Sequence, residues 1–133
     1  MTESGRADDD GVAGGMCGRR LLVVEDEYMI AIELAGILEE LGAEVIGPAG
    51  SVEQALALLE AAAPLDAAVL DINLREERVY PVAEALATRG VPFVFATGYD
   101  AAAIPPPYAS APRCEKPVDR ARLAQLLARN WPR

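Results

Sequence analysis

The chain predicts an α/β domain, a five-stranded parallel sheet with helices on both faces. Short apolar runs alternate with stretches of helical spacing along most of the 133 residues, which is the pattern of repeated strand–helix units. Four of those runs end on a reactive residue. Leu21–Val24 leads into Glu25-Asp26, Ala67–Leu70 into Asp71, Val91–Ala96 into Thr97, and Arg113–Glu115 into Lys116-Pro117. An open parallel sheet binds ligands at the carboxyl ends of its strands, so one edge would collect three acids, a hydroxyl and an ammonium. Apolar residues make up 52% of the chain, enough for a substantial core.

Each element has its own signal. Leu21–Val24 reads as a buried strand. Ile30, Leu34, Ile37, Leu38 and Leu41 follow helical spacing, and Gly42 fits a C-terminal cap. Glu44–Gly47 reads as a short second strand. Ser51 and Gln54 form a capping box that opens a helix to about Ala62, and Pro64 ends it. Ala67–Leu70 is the third strand. Pro81 suits the first turn of a helix running to Thr88, with Gly90 as its cap. Phe93–Ala96 is the fourth strand. Between Asp100 and Ala111, Pro105, Pro106 and Pro107 forbid a long helix. A turn or two near Ala101–Ile104 and then extended chain are expected, which makes the fourth helix short or irregular. Arg113–Glu115 is a short fifth strand, and Asp119 caps a last helix carrying Leu123, Leu126 and Leu127. Right-handed crossovers then put helices on both faces.

Residues 1–18 are rich in Gly and Asp and are expected to be a disordered tail, leaving residues 19–133 as one domain. The tail lacks the apolar segment of a secretory signal, and no apolar run approaches a membrane span, so a cytoplasmic location is expected. Cys17 and Cys114 form no CxxC pair and read as free thiols. The net charge is −9. The tail holds −3 of it, from Glu3, Asp8, Asp9 and Asp10 against Arg6. An acidic body argues against nonspecific binding to nucleic acid. The chain has no histidine. It therefore lacks imidazole nucleophiles, bases and zinc ligands, and it can accept a phosphoryl group from a phosphohistidine but not donate one.

Carboxylates gathered at one sheet edge repel each other and call for a cation, and hard oxygen ligands favour Mg²⁺ or Ca²⁺. A nearby ammonium and hydroxyl also suit the pocket to a phosphoryl group. Glu25-Asp26, Asp71, Thr97 and Lys116-Pro117, in this order at successive strand ends, resemble the motifs of response-regulator receiver domains, the phosphoacceptors of two-component signalling. The resemblance spans roughly residues 19–131. Phe95-Ala96-Thr97-Gly98-Tyr99 is similar to the FAT GUY subgroup of alphaproteobacterial single-domain receivers, although Asp100 stands where that motif ends in tyrosine.

The resemblance implies a flavodoxin-like receiver fold and a phosphorylation switch rather than an enzyme. It makes Asp71 the phosphoacceptor and Lys116 the cation facing the phosphoryl oxygens. Thr97 becomes the hydroxyl that moves onto the phosphoryl group. It assigns Mg²⁺ to Asp26, Asp71 and the backbone carbonyl of Asn73, with Glu25 acting through water. Lys116-Pro117 resembles the family's cis peptide. The implied partners are a sensor histidine kinase or phosphotransferase and a downstream protein, with no nucleic acid or membrane.

Two departures stand out. Arg113 occupies the place of the usual switch aromatic, with Tyr99 as a possible substitute, and Tyr99 and Tyr108 serve either packing or signalling. The loop Ile72-Asn73-Leu74-Arg75-Glu76-Glu77-Arg78 is highly charged and has no glycine, and Arg75 or Glu76 is placed to influence water access. A pseudo-receiver, working as a binding module without phosphorylation, is the alternative. An aspartate-nucleophile hydrolase fits worse, because Asp71-Ile72-Asn73 follows the third strand and ends in asparagine.

Overall fold

The structure, a computed structural model, describes residues 16–61, 64–98 and 104–129. Its elements are β1 (Arg20–Val24), α1 (Tyr28–Glu40), β2 (Glu44–Ala49), α2 (Val52–Ala61), β3 (Ala67–Asp71), β4 (Asn73–Leu74), β5 (Glu77–Arg78), α3 (Tyr80–Thr88), β6 (Phe93–Thr97), a 3₁₀ turn (Pro106–Tyr108), β7 (Arg113–Glu115) and α4 (Arg120–Arg129). Five strands form one sheet in the order β2-β1-β3-β6-β7, and every pairing in it is parallel. This is the flavodoxin-like order, whose ligand crevice lies at the strand carboxyl ends beside β1 and β3.

Alternation along the strands builds two core layers. Leu21 and Val23 pack with Leu34 and Leu38 of α1 and Leu123 and Leu127 of α4. Leu22 and Val24 pack on the opposite face with Ala55 and Leu59 of α2 and Val82 and Leu86 of α3. Successive side chains of a strand point to opposite faces, so a strand covered on both sides is apolar throughout. β3 is buried along its whole length for that reason.

The helix ends follow local chemistry. α1 closes in a Schellman motif: the N–H of Ala43 donates to Leu38 O at 3.0 Å, that of Gly42 donates to Glu39 O at 3.0 Å, and Gly42 has φ +100°. Gly90 (φ +72°) closes α3 likewise, with the Val91 N–H donating to Leu86 O at 2.9 Å. Ser51 Oγ accepts the Gln54 N–H at 3.1 Å, while Gln54 Oε1 accepts the N–H of Gly50, one residue before the cap, at 2.8 Å. Asp119 caps α4 by accepting the Arg122 N–H at 2.8 Å.

Three local expectations are corrected. The predicted tail lies outside the described residues up to 15, but Met16–Gly18 join the packed body. Met16 is 1% exposed in the α1/α4 core layer, and the Gly18 N–H donates to Gly42 O at 3.1 Å. A single methionine among small residues leaves no periodic trace in the sequence. β2 continues past Gly47 to Ala49 through a register shift opposite β1, with a cis Gly47–Pro48 bond. Extended chain was expected after Ile104, but Pro106–Tyr108 form a 3₁₀ turn, closed by the Tyr108 N–H donating to Pro105 O at 3.0 Å. Prolines at the first helical positions lack N–H groups that would have no helical partner there anyway. The turn expected near Ala101–Ile104 lies outside the described residues up to 103, as do Tyr99 and Asp100.

Candidate functional site

Strand register brings the reactive residues together. Val24 pairs with Leu70, Asp71 with Ala96, and Thr97 with Glu115. Each reactive residue lies at a strand's last position or just beyond it, so all lie along one edge of the sheet. The backbone locks this edge as well: the Glu25 N–H donates to Ala49 O at 2.8 Å, and the Lys116 N–H to Thr97 O at 2.9 Å.

Lys116 sits at the centre. Its Nζ is 2.8 Å from Glu25 Oε1 and 3.2 Å from Asp71 Oδ2. Both acids are buried, with side chains 1% and 6% exposed. Glu25 also accepts the Glu27 N–H at 3.1 Å, and Asp71 Oδ1 accepts the Asn73 N–H at 3.2 Å. Burial raises the Asp71 pKa from 3.8 to about 7; Glu25 adds to the rise and Lys116 opposes it. For Lys116, burial by itself favours the neutral amine, but its contacts with Glu25 and Asp71 outweigh burial and the pKa is raised. The ammonium therefore stays charged and compensates two buried acids.

Glu25, Asp26 and Asp71 present carboxylate oxygens within 4.8 Å of one another. Three hard oxygen donors at this spacing fit a divalent cation such as Mg²⁺. Thr97 is 1% exposed, and its Oγ1 is buried without a hydrogen-bond partner. A buried hydroxyl left unsatisfied is costly, and this one sits at the end of β6, whose last carbonyl accepts the Lys116 N–H. Lys116–Pro117 is cis.

Glu25, Asp26, Asp71 and Lys116 thus converge, Thr97 ends β6 on the same sheet edge, and the Asn73 backbone begins β4 beside Asp71. Glu25, read from sequence as an outer ligand of the metal, also makes the shorter of the two acid contacts to Lys116. Tyr108 is part of the packing: it stacks on Tyr80, with ring centroids 5.3 Å apart and planes at 3°, and meets Phe95 edge-on at 6.5 Å. The charged loop is ordered as an antiparallel hairpin, pairing Asn73 with Arg78 and Leu74 with Glu77. Arg75 at its turn places Nε 3.9 Å from Asp26 Oδ2. Glu77 Oε2 accepts the Val52 N–H at the start of α2, at 3.0 Å. No sequence signal marks that bond, because its partners lie 25 residues apart. Both cysteines are free. Cys114 is buried, and that burial pushes its thiol pKa up, as for an unreactive core thiol. Among the described residues, no helix is long and apolar enough to cross a membrane.

No family model matches the chain. It is 34% identical over 82 residues to the transcriptional regulatory protein PdtaR of Mycobacterium tuberculosis, which is 61% of this chain and 40% of that protein. The chain thus spans about 40% of the length of the curated relatives it matches. Among solved structures, it is 42% identical to SdrG from Sphingomonas melonis Fr1, with a TM-score of 0.74, covering 84% of this chain and 94% of that one. SdrG has also been solved in a BeF3-activated conformation, where the TM-score is 0.70 at the same 42% identity, covering 82% of this chain and 92% of that one. The response regulator PhyR from Brucella abortus is 26% identical with a TM-score of 0.74, covering 94% of this chain and 52% of PhyR.

Proposed function

The chain belongs to the response-regulator receiver domains, and on that premise we propose that it is a phosphorylation switch with Asp71 as the acceptor. The observation that carries the reading is the Lys116 ammonium, held between buried Glu25 and Asp71 at the sheet edge where β6 ends in Thr97 with an unpartnered hydroxyl. The BeF3-activated conformation of SdrG, at 42% identity, supports it.

The donor is a phosphohistidine of a sensor kinase or phosphotransferase. An Asp71 carboxylate oxygen forms the O–P bond as the N–P bond breaks, and the electron pair returns to the imidazole nitrogen. Such transfer depends on alignment and charge neutralisation more than on covalent help. Hydrogen bonding from Asn73 and contact with Lys116 fix the Asp71 carboxylate, and Lys116 opposes the rise in its pKa that burial causes. Asp26 and Asp71 would hold Mg²⁺ directly, with the Asn73 carbonyl as a further ligand and Glu25 acting through water. When bound, Mg²⁺ supplies the positive charge that lets phosphoryl oxygens approach a cluster of acids. Lys116 then pairs with a phosphoryl oxygen, and the Thr97 hydroxyl gains the acceptor it lacks.

Movement of Thr97 at the end of β6 is passed to the segment that follows. The switch works in the cytoplasm. Its output is contact with another protein, or drainage of phosphate from a shared kinase.

The test is incubation with acetyl phosphate or a phosphorylated kinase, with and without Mg²⁺, followed by mapping of the adduct by mass spectrometry. Asp71 should carry the phosphoryl group only when Mg²⁺ is present, and Asp71→Asn should carry none. Undiminished labelling of that variant would refute the assignment.

A further inference from the structure

We propose that Arg75 sets how tightly the acidic pocket takes a divalent cation, acting as a tethered cation that competes for Asp26. The proposal rests on the reading of Glu25, Asp26 and Asp71 as a Mg²⁺ site, and goes beyond it by assigning a tuning residue outside the ligand set.

The hairpin β4–β5 begins two residues after Asp71 and returns over the mouth of the pocket. Arg75 and Glu76 form its two-residue turn, between paired Leu74 and Glu77. Leu74, next to the turn, is 3% exposed and Val79, just after β5, is 0% exposed, so the hairpin is pinned in the α2/α3 core layer at both places. Glu77 adds a third anchor through the N–H of Val52. The turn is therefore held in place rather than left to swing. It walls one side of an open cleft of about 420 Å³, which Asp26, Gly50, Ser51 and Gln54 line from the other side.

Into this cleft the hairpin carries one guanidinium, with Nε 3.9 Å from Asp26 Oδ2. The two partners differ in exposure: the Arg75 side chain is 79% exposed and that of Asp26 only 18%. Asp26 thus faces the acidic pocket, while Arg75 reaches it from solvent. At this distance and exposure the ion pair itself adds little stability. Its effect on a divalent cation is larger. A cation that takes Asp26 must displace the guanidinium or accept its repulsion. A unit charge a few ångströms from a divalent ion, in a setting close to water, acts on it by a factor of roughly 3 to 30 in affinity. Salt screens that interaction within about 10 Å at 0.1 M ionic strength. Arginine stays charged at every working pH, so the competition is a fixed property of the site.

Titration calorimetry with MgCl₂ on the full chain tests this, comparing wild type, Arg75→Gln and Arg75→Lys at low and high NaCl, with Asp26→Asn as a control. Arg75→Gln should bind Mg²⁺ about three- to tenfold more tightly at low salt, and the gain should shrink at high salt. Arg75→Lys keeps the charge and should stay close to wild type. Unchanged or weaker binding by Arg75→Gln overturns the proposal. So does an equal gain in Arg75→Lys, which would mean that a loosened turn, not a lost charge, opens the site. If wild type shows no saturable Mg²⁺ binding and Asp26→Asn behaves identically, the metal reading falls first and the proposal falls with it.

Discussion

Replacing Lys116 with methionine removes the one ammonium that touches both buried acids while keeping a side chain of similar length. Glu25 and Asp71 are then left facing each other with side chains 1% and 6% exposed. Removing one partner of a buried charge pair costs about 3–5 kcal/mol, because the other charge stays desolvated and unpaired. The remaining ionic partner here is a second acid, so the effect belongs in that range. Protonation of Asp71 relieves part of it, and this gives the loss a pH signature. The folded-state pKa of Asp71 is raised from 3.8 to about 7 with Lys116 present, and Lys116 is what holds it down to that value. Without Lys116 it rises further. A group with a raised folded-state pKa contributes stability that is complete below its unfolded value and lost as pH climbs through the folded value. Wild type stops losing stability from Asp71 once pH passes about 7. The variant goes on losing it, by up to about 1.4 kcal/mol per pH unit. Urea unfolding at pH 6 and pH 8.5, in chelator to remove divalent ions, should show a deficit of about 3 kcal/mol at pH 8.5 and a smaller one at pH 6. Adding Asp71→Asn to the variant should restore most of it. A deficit below about 1 kcal/mol at pH 8.5, or one independent of pH, would refute the view that Lys116 compensates buried charge.

Thr97→Val should leave the metal-free domain as stable as wild type or more so, by up to about 1 kcal/mol, since it removes an unsatisfied buried hydroxyl. The same variant should still take phosphate on Asp71 yet lose the conformational response, read as changed amide spectra on adding beryllofluoride; a full response would free Thr97 of that role. Tyr108→Ala should cost about 1–3 kcal/mol in urea unfolding through the lost ring contacts with Tyr80 and Phe95, and a neutral result would show that the stack contributes nothing. Hydrogen exchange across Ile104–Ala111 should change on adding beryllofluoride, because this segment lies downstream of Thr97 and its backbone N–H groups make short turn bonds such as Tyr108 N–H to Pro105 O; identical exchange in both states would count against remodelling there.

The strand–helix order, the caps at Gly42, Gly90, Ser51 and Asp119, and the reactive residue after each strand were all legible in the sequence. They depend on local patterning: apolar runs, helical spacing and cap chemistry act within a few residues. That Asp71, Thr97 and Lys116 would lie on one sheet edge also followed from the sequence, because parallel strands share a direction and their ends share an edge. The tertiary structure decided the rest. Glu25 rather than Asp71 takes the shorter contact with Lys116, a choice of side-chain packing at the pocket floor. Met16 enters the core and Tyr108 stacks on Tyr80, contacts across long separations that leave no periodic mark. The charged loop becomes a hairpin because Leu74 and Val79 are buried and Glu77 finds an unbonded N–H at the start of α2. Each of these depends on which surfaces come together once the sheet has formed, and sequence spacing carries no information about that.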